Sequence, residues 1–213
     1  MLHAACHESL HRPGVSEPPS QVRACRIVHT GIPGHDGPGM KITAQPPTPL
    51  TLSDGRLVQI ATQQWALERW EGEPDPPDLA RTWASKGKFS VNGRRSCAEL
   101  AIMDHLQREG WQGVWVNAFA RRLHTEWFPV PGFRTLAEAG APEWAIAVFD
   151  RLLSANCGKF TGFFDVFAWR GPGEVRFDEA KVGNDRIRGT QLRFVEQALR
   201  FHRLAEFTII EVP

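Results

Sequence analysis

Phe163-Phe-Asp-Val-Phe-Ala-Trp169 and Glu174-Val-Arg-Phe-Asp-Glu-Ala-Lys181 are two alternating segments joined through Arg170 and the loop Gly171-Pro172-Gly173. A three-residue loop of this composition suits a β-hairpin. Side chains alternate faces along a strand, so Asp165 shares a face with Phe163, Phe167 and Trp169. Glu179 and Lys181 share one with Val175 and Phe177, while Arg176 and Asp178 point the other way. If Arg170 pairs with Glu174, the same register carries Asp165 to a place directly across from Glu179, with Cβ atoms roughly 4.5–5.5 Å apart. Two carboxylates so placed on an apolar face repel each other and are costly to desolvate. A divalent cation between them would remove that cost, so the hairpin is expected to carry a metal site.

Working outward, Gly183-Asn184-Asp185 predicts a turn with Asp185 as N-cap of a helix from about Ile187 to His202. Phe207 to Val212 predicts a closing strand. Upstream, Ser96-Cys97-Ala98-Glu99 has the form of a capping box opening a helix to about Glu109, stopped by Gly110. Gly113 to Phe119 predicts a buried strand, and residues 120–141 an irregular stretch broken by Pro129, Pro131 and Gly132. Pro142 suits the first turn of a helix to about Ala155, with Trp144, Val148 and Leu152 on one stripe. The order from Ser96 is α, β, α, β, β, α, β: an α/β fold around a mixed sheet.

Residues 1 to about 50 are rich in Pro, Gly, Ser and His without apolar periodicity and read as a disordered extension; Met40 is a second candidate start. Cys6, His11, Cys25 and His29 match no familiar zinc spacing. Residues 51–92 read as a small accessory segment, with a hairpin at Asp54-Gly55, a helix from Pro77 to Ser85, a strand near Phe89 to Val91 and a turn at Asn92-Gly93. Residues 93–213 would then form the main domain.

Composition narrows the class. Hydrophobic residues make up 42% and charged residues 23%, as in a soluble globular protein. No apolar run reaches the roughly 20 residues of a membrane span, and a cytoplasmic location is the default expectation. The net charge of +1 means that any nucleic-acid-binding face must be local. The four scattered cysteines, Cys6, Cys25, Cys97 and Cys157, form no Cys-x-x-Cys pair and read as free thiols. A cysteine hydrolase built on Cys97 or Cys157 has no evident base in the pattern.

The spacing Asp165…Glu179-Ala180-Lys181 resembles the PD-(D/E)XK nuclease superfamily. The segment Gly162-Phe-Phe-Asp165, Glu179-Ala-Lys181, Asn184-Asp185-Arg186 and Gln191 is most similar to its VRR-NUC branch. The resemblance covers roughly Glu99 to Val212. Phe164 stands where the family usually has Pro, and Phe194 where it has an aromatic after the Gln; neither change removes a ligand. The resemblance implies a restriction-endonuclease-like α-β-α core and a metal-dependent nuclease acting on DNA, branched or otherwise structured, with RNA as an alternative substrate.

Asp165 and Glu179 offer hard oxygen ligands suited to Mg²⁺, with Mn²⁺ as a substitute. The resemblance implies the Ala180 backbone carbonyl as a further ligand. Lys181 would orient a water or stabilise developing charge, or simply neutralise the carboxylates. Glu99 has two readings: the N3 residue of the capping box, or a carboxylate brought to the metal on a face with Met103 and Leu106. Gln191, heading a stripe with Val195, Ala198 and His202, suits a hydrogen bond into the site. Arg186, Arg188 and Arg193 cluster where they would meet a phosphate backbone. Asp178 faces away from Glu179 and should not share its metal. His105, His124 and His202 have no partner spacing and read as packing or surface. The rival class is a catalytically silent nucleic-acid-binding module on the same fold.

Overall fold

A computed structural model describes residues 40–72, 86, 89–126 and 132–213. At its centre is the expected hairpin, formed by β7 (Val166–Gly171) and β8 (Glu174–Val182). The pairing runs from Val166↔Asp178 to Trp169↔Val175, then slips so that Gly171 faces Glu174. The expected backbone pair Arg170–Glu174 is therefore not made. Arg170 is the extra residue of a bulge, and its guanidinium meets the Glu174 carboxylate at 2.9 Å instead. Pro172-Gly173 makes the tight turn, with Gly173 at φ +79°. Because the bulge absorbs the slip, the inner register is the expected one, and continued by one residue it brings Asp165 opposite Glu179.

Around this hairpin lies a seven-stranded mixed sheet. Its order is β1 (Lys41–Thr51), β2 (Leu57–Ala66), β9 (Phe207–Val212), β8, β7, β5 (Gln112–Asn117) and β6 (Arg122–His124). β9 runs parallel to both β2 and β8; the other neighbours are antiparallel. A separate two-stranded hairpin, β3 (Phe89–Val91) and β4 (Arg94–Ser96), turns at Asn92 (φ 52°) and Gly93 (φ 71°). Two positive φ angles in a two-residue turn are what Asn-Gly supplies at little cost.

Three α-helices among the described residues cover the sheet. Strand alternation sorts the core into two layers. Helix α1 (Ala98–Arg108) packs with Trp115, Val166, Ala168, Ala180 and Ile210. Helices α2 (Glu143–Ala155) and α3 (Gly189–Ala198) pack on the other layer with Val114, Phe167, Phe177 and Phe207. In that layer Phe163 lies 4.4 Å from Phe194, and Phe164 meets the Phe207 ring edge-on at 5.6 Å. Phe164 thus fills the core. Among the described residues no helix is long and apolar enough to cross a membrane.

Several expectations change. Residues 41–51 form a strand rather than a disordered stretch. Pro46 and Pro47 fall in the register shift between Gln45 and Thr48 on an edge strand, where prolines forfeit no ladder bond. The Asp54-Gly55 hairpin forms, yet it extends the main sheet through β2 and β9 rather than standing as an accessory segment, so the boundary at 92 does not separate two sheets. The helix expected at 77–85, the zinc candidates and all residues before Met40 lie outside the described residues. The stretch 120–141 contains a further strand, β6. The α2 stripe is turned by one residue, burying Ala145, Phe149 and Leu152, with Trp144 and Val148 half-buried beside it.

Arg176 and Asp178 do face away from Glu179, but their face is buried too, beneath α1. Arg176 Nε lies 2.8 Å from each Asp178 carboxylate oxygen, and Asp178 is 0% exposed.

Candidate functional site

A cavity of about 670 Å³ opens where the start of β7, the end of β8 and the start of α3 meet. Asp165 stands one residue before β7, half-buried, and Glu179 and Lys181 are buried on β8. The Asp165 amide donates to Glu179 Oε2 at 3.3 Å, and the Ala180 amide donates to Asp165 Oδ2 at 3.2 Å. Since a residue's N–H and C=O leave a strand on the same edge, the Ala180 carbonyl also faces the Asp165 side.

Gly162 makes this juxtaposition possible. It adopts φ +91°, and a Cβ there would lie 2.3 Å from the Thr190 carbonyl oxygen. The turn carrying Asp165 is thereby seated directly on the first turn of α3, which brings Gln191 to Glu179. Gly162→Ala is expected to cost roughly 1–3 kcal/mol, read as a lower denaturation midpoint with unchanged slope.

Lys181 is the hub. Its Nζ lies 2.8 Å from Glu179 Oε1, 3.1 Å from Gln191 Oε1 and 3.3 Å from Asp185 Oδ2. Gln191 Nε2 donates to Glu179 Oε1, while its Oε1 also accepts the Arg188 amide at 2.9 Å. The side chain therefore both caps α3 and braces Glu179.

Asp185 is not the N-cap. The helix begins at Gly189 with Arg188 preceding it, and ends at Ala198 rather than His202. Asp185 is instead drawn to Lys181, to the Arg186 amide at 2.9 Å and to Arg188 at 3.5 Å. Burial would raise its pKa, but Lys181 and these neighbours hold it below the usual value.

On the far side of the cavity stands Glu99, buried. The capping box is not formed: Cys97 precedes the helix, and the Ser96 hydroxyl turns to the Cys97 carbonyl. Glu99 is paired instead with Lys86, whose ammonium also lies 5.2 Å from the centre of the Trp115 ring. Lys86 was not singled out by the sequence; its partner is thirteen residues away with a hairpin between, and no local pattern reports that contact.

Burial, then the charges of Glu179 and Glu99, push the Asp165 carboxyl well above the ordinary range, against the pull of Lys86 and Lys181. Burial also raises Glu179, opposed by Lys181 and the Gln191 hydrogen bond. Burial works against the Lys86 ammonium, but Glu99 and Asp165 outweigh it and raise its pKa. Four carboxylates, Glu99, Asp165, Glu179 and Asp185, thus line one cavity with the Lys86 ammonium, and the Lys181 ammonium meets Glu179 from the adjoining cleft. Among the described residues, however, no three His, Cys, Asp or Glu side chains are grouped to hold a metal ion as they stand.

An acid whose folded-state pKa is raised binds its proton more readily in the folded state, so its contribution to stability falls as pH rises past the unfolded value, 3.8 for Asp165. In metal-free buffer, Asp165→Asn is expected to melt above the wild type at pH 7. The gap should close toward pH 4, as thermal melts across that range would show.

Comparison with protein-family models, characterised proteins and solved structures finds no match to this chain.

The three arginines line different hollows. Arg188 lines the carboxylate cavity, and Arg186 lines a smaller cleft with Lys181 and Asp185. Arg193 lines a second cavity, of about 600 Å³. His105 meets the edge of the Trp65 ring, and His202 pairs with Glu206 at 2.8 Å. Cys97 is buried, and burial together with the Glu99 charge pushes its thiol well up, away from nucleophilic use.

Proposed function

We propose that the chain is a metal-dependent nuclease hydrolysing phosphodiester bonds in DNA, on a restriction-endonuclease-like core. The observation that carries the reading is the pairing of Asp165 with Glu179 at the cavity floor, braced by Lys181 and Gln191. The order of helices and strands from α1 to β9 supports the fold assignment, as does the resemblance of the Gly162–Gln191 segment.

Asp165, Glu179 and the Ala180 carbonyl would hold Mg²⁺ or Mn²⁺, with Glu99 as a further carboxylate across the cavity; the donor set is all hard oxygen. When bound, such an ion polarises a phosphoryl oxygen and lowers the pKa of a water. Lys181 presents its ammonium on the same side of β8 as Glu179, where it stabilises negative charge developing on the phosphate. Gln191 fixes the Glu179 carboxylate through its amide and the Lys181 ammonium through its carbonyl. Arg188, at the cavity wall, takes a flanking phosphate.

A second reading, a binding module that does not cut, is favoured by the Lys86–Glu99 pair, which places a tethered cation against one side of the carboxylate group. The two readings are separated by incubating the wild type, Asp165→Ala and Lys181→Ala with linear, branched and flapped DNA, and with RNA, in Mg²⁺ or Mn²⁺. Cutting by the wild type that both variants lose supports the nuclease. Binding without cutting of any substrate supports the module, and cutting confined to RNA replaces the substrate.

A further inference from the structure

Beside the carboxylate cavity lies the second cavity, and the two share Thr161 and Thr190. Their linings differ in charge. The first is floored by Asp165 and Glu179; the second presents Arg121, Lys159 and Arg193 and no carboxylate. All three cations are exposed, and none is held in an ion pair among the described residues. At the rim of the first cavity stands Phe119, 100% exposed at the tip of the β5–β6 hairpin.

That hairpin tip is not built for folding alone. Asn117 and Arg122 close a loop of Ala118-Phe119-Ala120-Arg121, pinned by the Ala120 amide donating to Asn117 Oδ1 at 3.1 Å. Arg121 sits at φ 52°, a left-handed conformation that Gly or Asn adopts more readily. A loop that accepts this conformation at an arginine while leaving a phenylalanine fully exposed gains nothing for the fold. It gains an aromatic face and a guanidinium held next to a cationic trench.

We propose that Phe119, Arg121, Lys159 and Arg193 form a track for single-stranded nucleic acid leading to the carboxylate cavity. The trench cations follow the phosphates, and an unpaired base stacks on Phe119. Base stacking on an exposed aromatic tolerates any sequence, because every base has a π-face. A paired base in a duplex offers no free face, so Phe119 discriminates single strands from duplex. The proposal deepens the nuclease reading and rests on it for the direction of the track, but its test needs no cleavage.

The experiment measures binding of a fluorescent oligothymidylate and of a blunt duplex to the full chain in EDTA, by anisotropy over a series of salt concentrations. Phe119→Ala, at a fully exposed position, is expected to weaken single-strand binding about tenfold or more and leave duplex binding nearly unchanged; Phe119→Trp should restore it. Arg121→Ala and Lys159→Ala should each lower the slope of log affinity against log salt by about 0.7. Circular dichroism confirms that each variant is folded. Wild-type affinity in Phe119→Ala, or unchanged salt slopes, overturns the track while leaving the nuclease reading standing. Single-strand binding with these dependences in a wild type that cuts nothing keeps the track and removes the nuclease. A chain that binds no single strand in EDTA overturns the track, and the nuclease reading then rests on cleavage in Mg²⁺ or Mn²⁺ alone.

Discussion

Lys181→Met is expected to slow DNA cleavage by about 10²–10³-fold, and Asp165→Ala to abolish it. Lys181 is 5% exposed, so its ammonium acts where water screens little. Two roles are open to it, and the structure supports both. With Nζ 2.8 Å from Glu179 Oε1 it neutralises a buried carboxylate; with Gln191 and Asp185 as further partners it is held in one orientation, ready for charge on a substrate. Metal titration separates the roles. A neutraliser alone, once removed, leaves Glu179 more available, so metal would bind Lys181→Met more tightly and cleavage would recover at metal concentrations no higher than the wild type needs. A group acting on the phosphate leaves a deficit that no metal concentration repairs. Undiminished cutting by both variants, with calorimetry showing unchanged metal binding, would remove the site from Asp165, Glu179 and Lys181.

The legible part of this chain is the part whose contacts are close in sequence or repeat with a strand's period. Face alternation placed Glu179 and Lys181 with Val175 and Phe177, and it placed Asp178 apart. The hairpin register placed Asp165 against Glu179, although the turn is a bulge and the premise about Arg170 does not hold. Two compensating details, one residue each, left the inner strand in place. What could not be read is of another kind. Pro46 and Pro47 look like breakers until the strand is known to lie at an edge. Ser96 and Glu99 satisfy a capping-box pattern, but Ser96 is committed to β4, so the helix starts one residue later and Glu99 turns to Lys86. Asp185 satisfies a cap pattern as well, and the buried Lys181 outbids the helix end for its carboxylate. At both helix starts a local preference of about 1 kcal/mol yields to a partner that the fold brings from elsewhere. Lys86 left no mark, since it depends on a distant partner, and Phe119, expected at the end of a buried strand, lies beyond a strand that stops at Asn117 and is fully exposed.

Arg176→Met is expected to destabilise the fold by about 3–5 kcal/mol, more than any other exchange of a polar group outside the cavity. Asp178 is 0% exposed, and Arg176 reaches both its oxygens at 2.8 Å from the same strand face. Burial pushes the Asp178 carboxyl upward even with Arg176 and Thr208 opposing it. Without the guanidinium a charge would remain under α1 with little to answer it. The deficit should therefore be largest near neutral pH and shrink as the pH falls toward 4, where the carboxyl takes up a proton in both states. The double variant Arg176→Met/Asp178→Leu removes the charge as well as its partner, and apolar replacement of a buried pair is often neutral or stabilising. Urea denaturation of the single and double variants at pH 7 and pH 4.5 reads both effects. A single-variant loss under about 1 kcal/mol would put the pair among the surface kind, and a loss independent of pH would assign it to packing of the arginine stem. Arg176 and Asp178 lie on the face of β8 opposite Glu179 and Lys181, so a double variant that recovers stability should also recover cleavage. A variant that regained the fold without the activity would show that the two faces of this strand are coupled through its backbone, and that Asp178 helps to set where Glu179 stands.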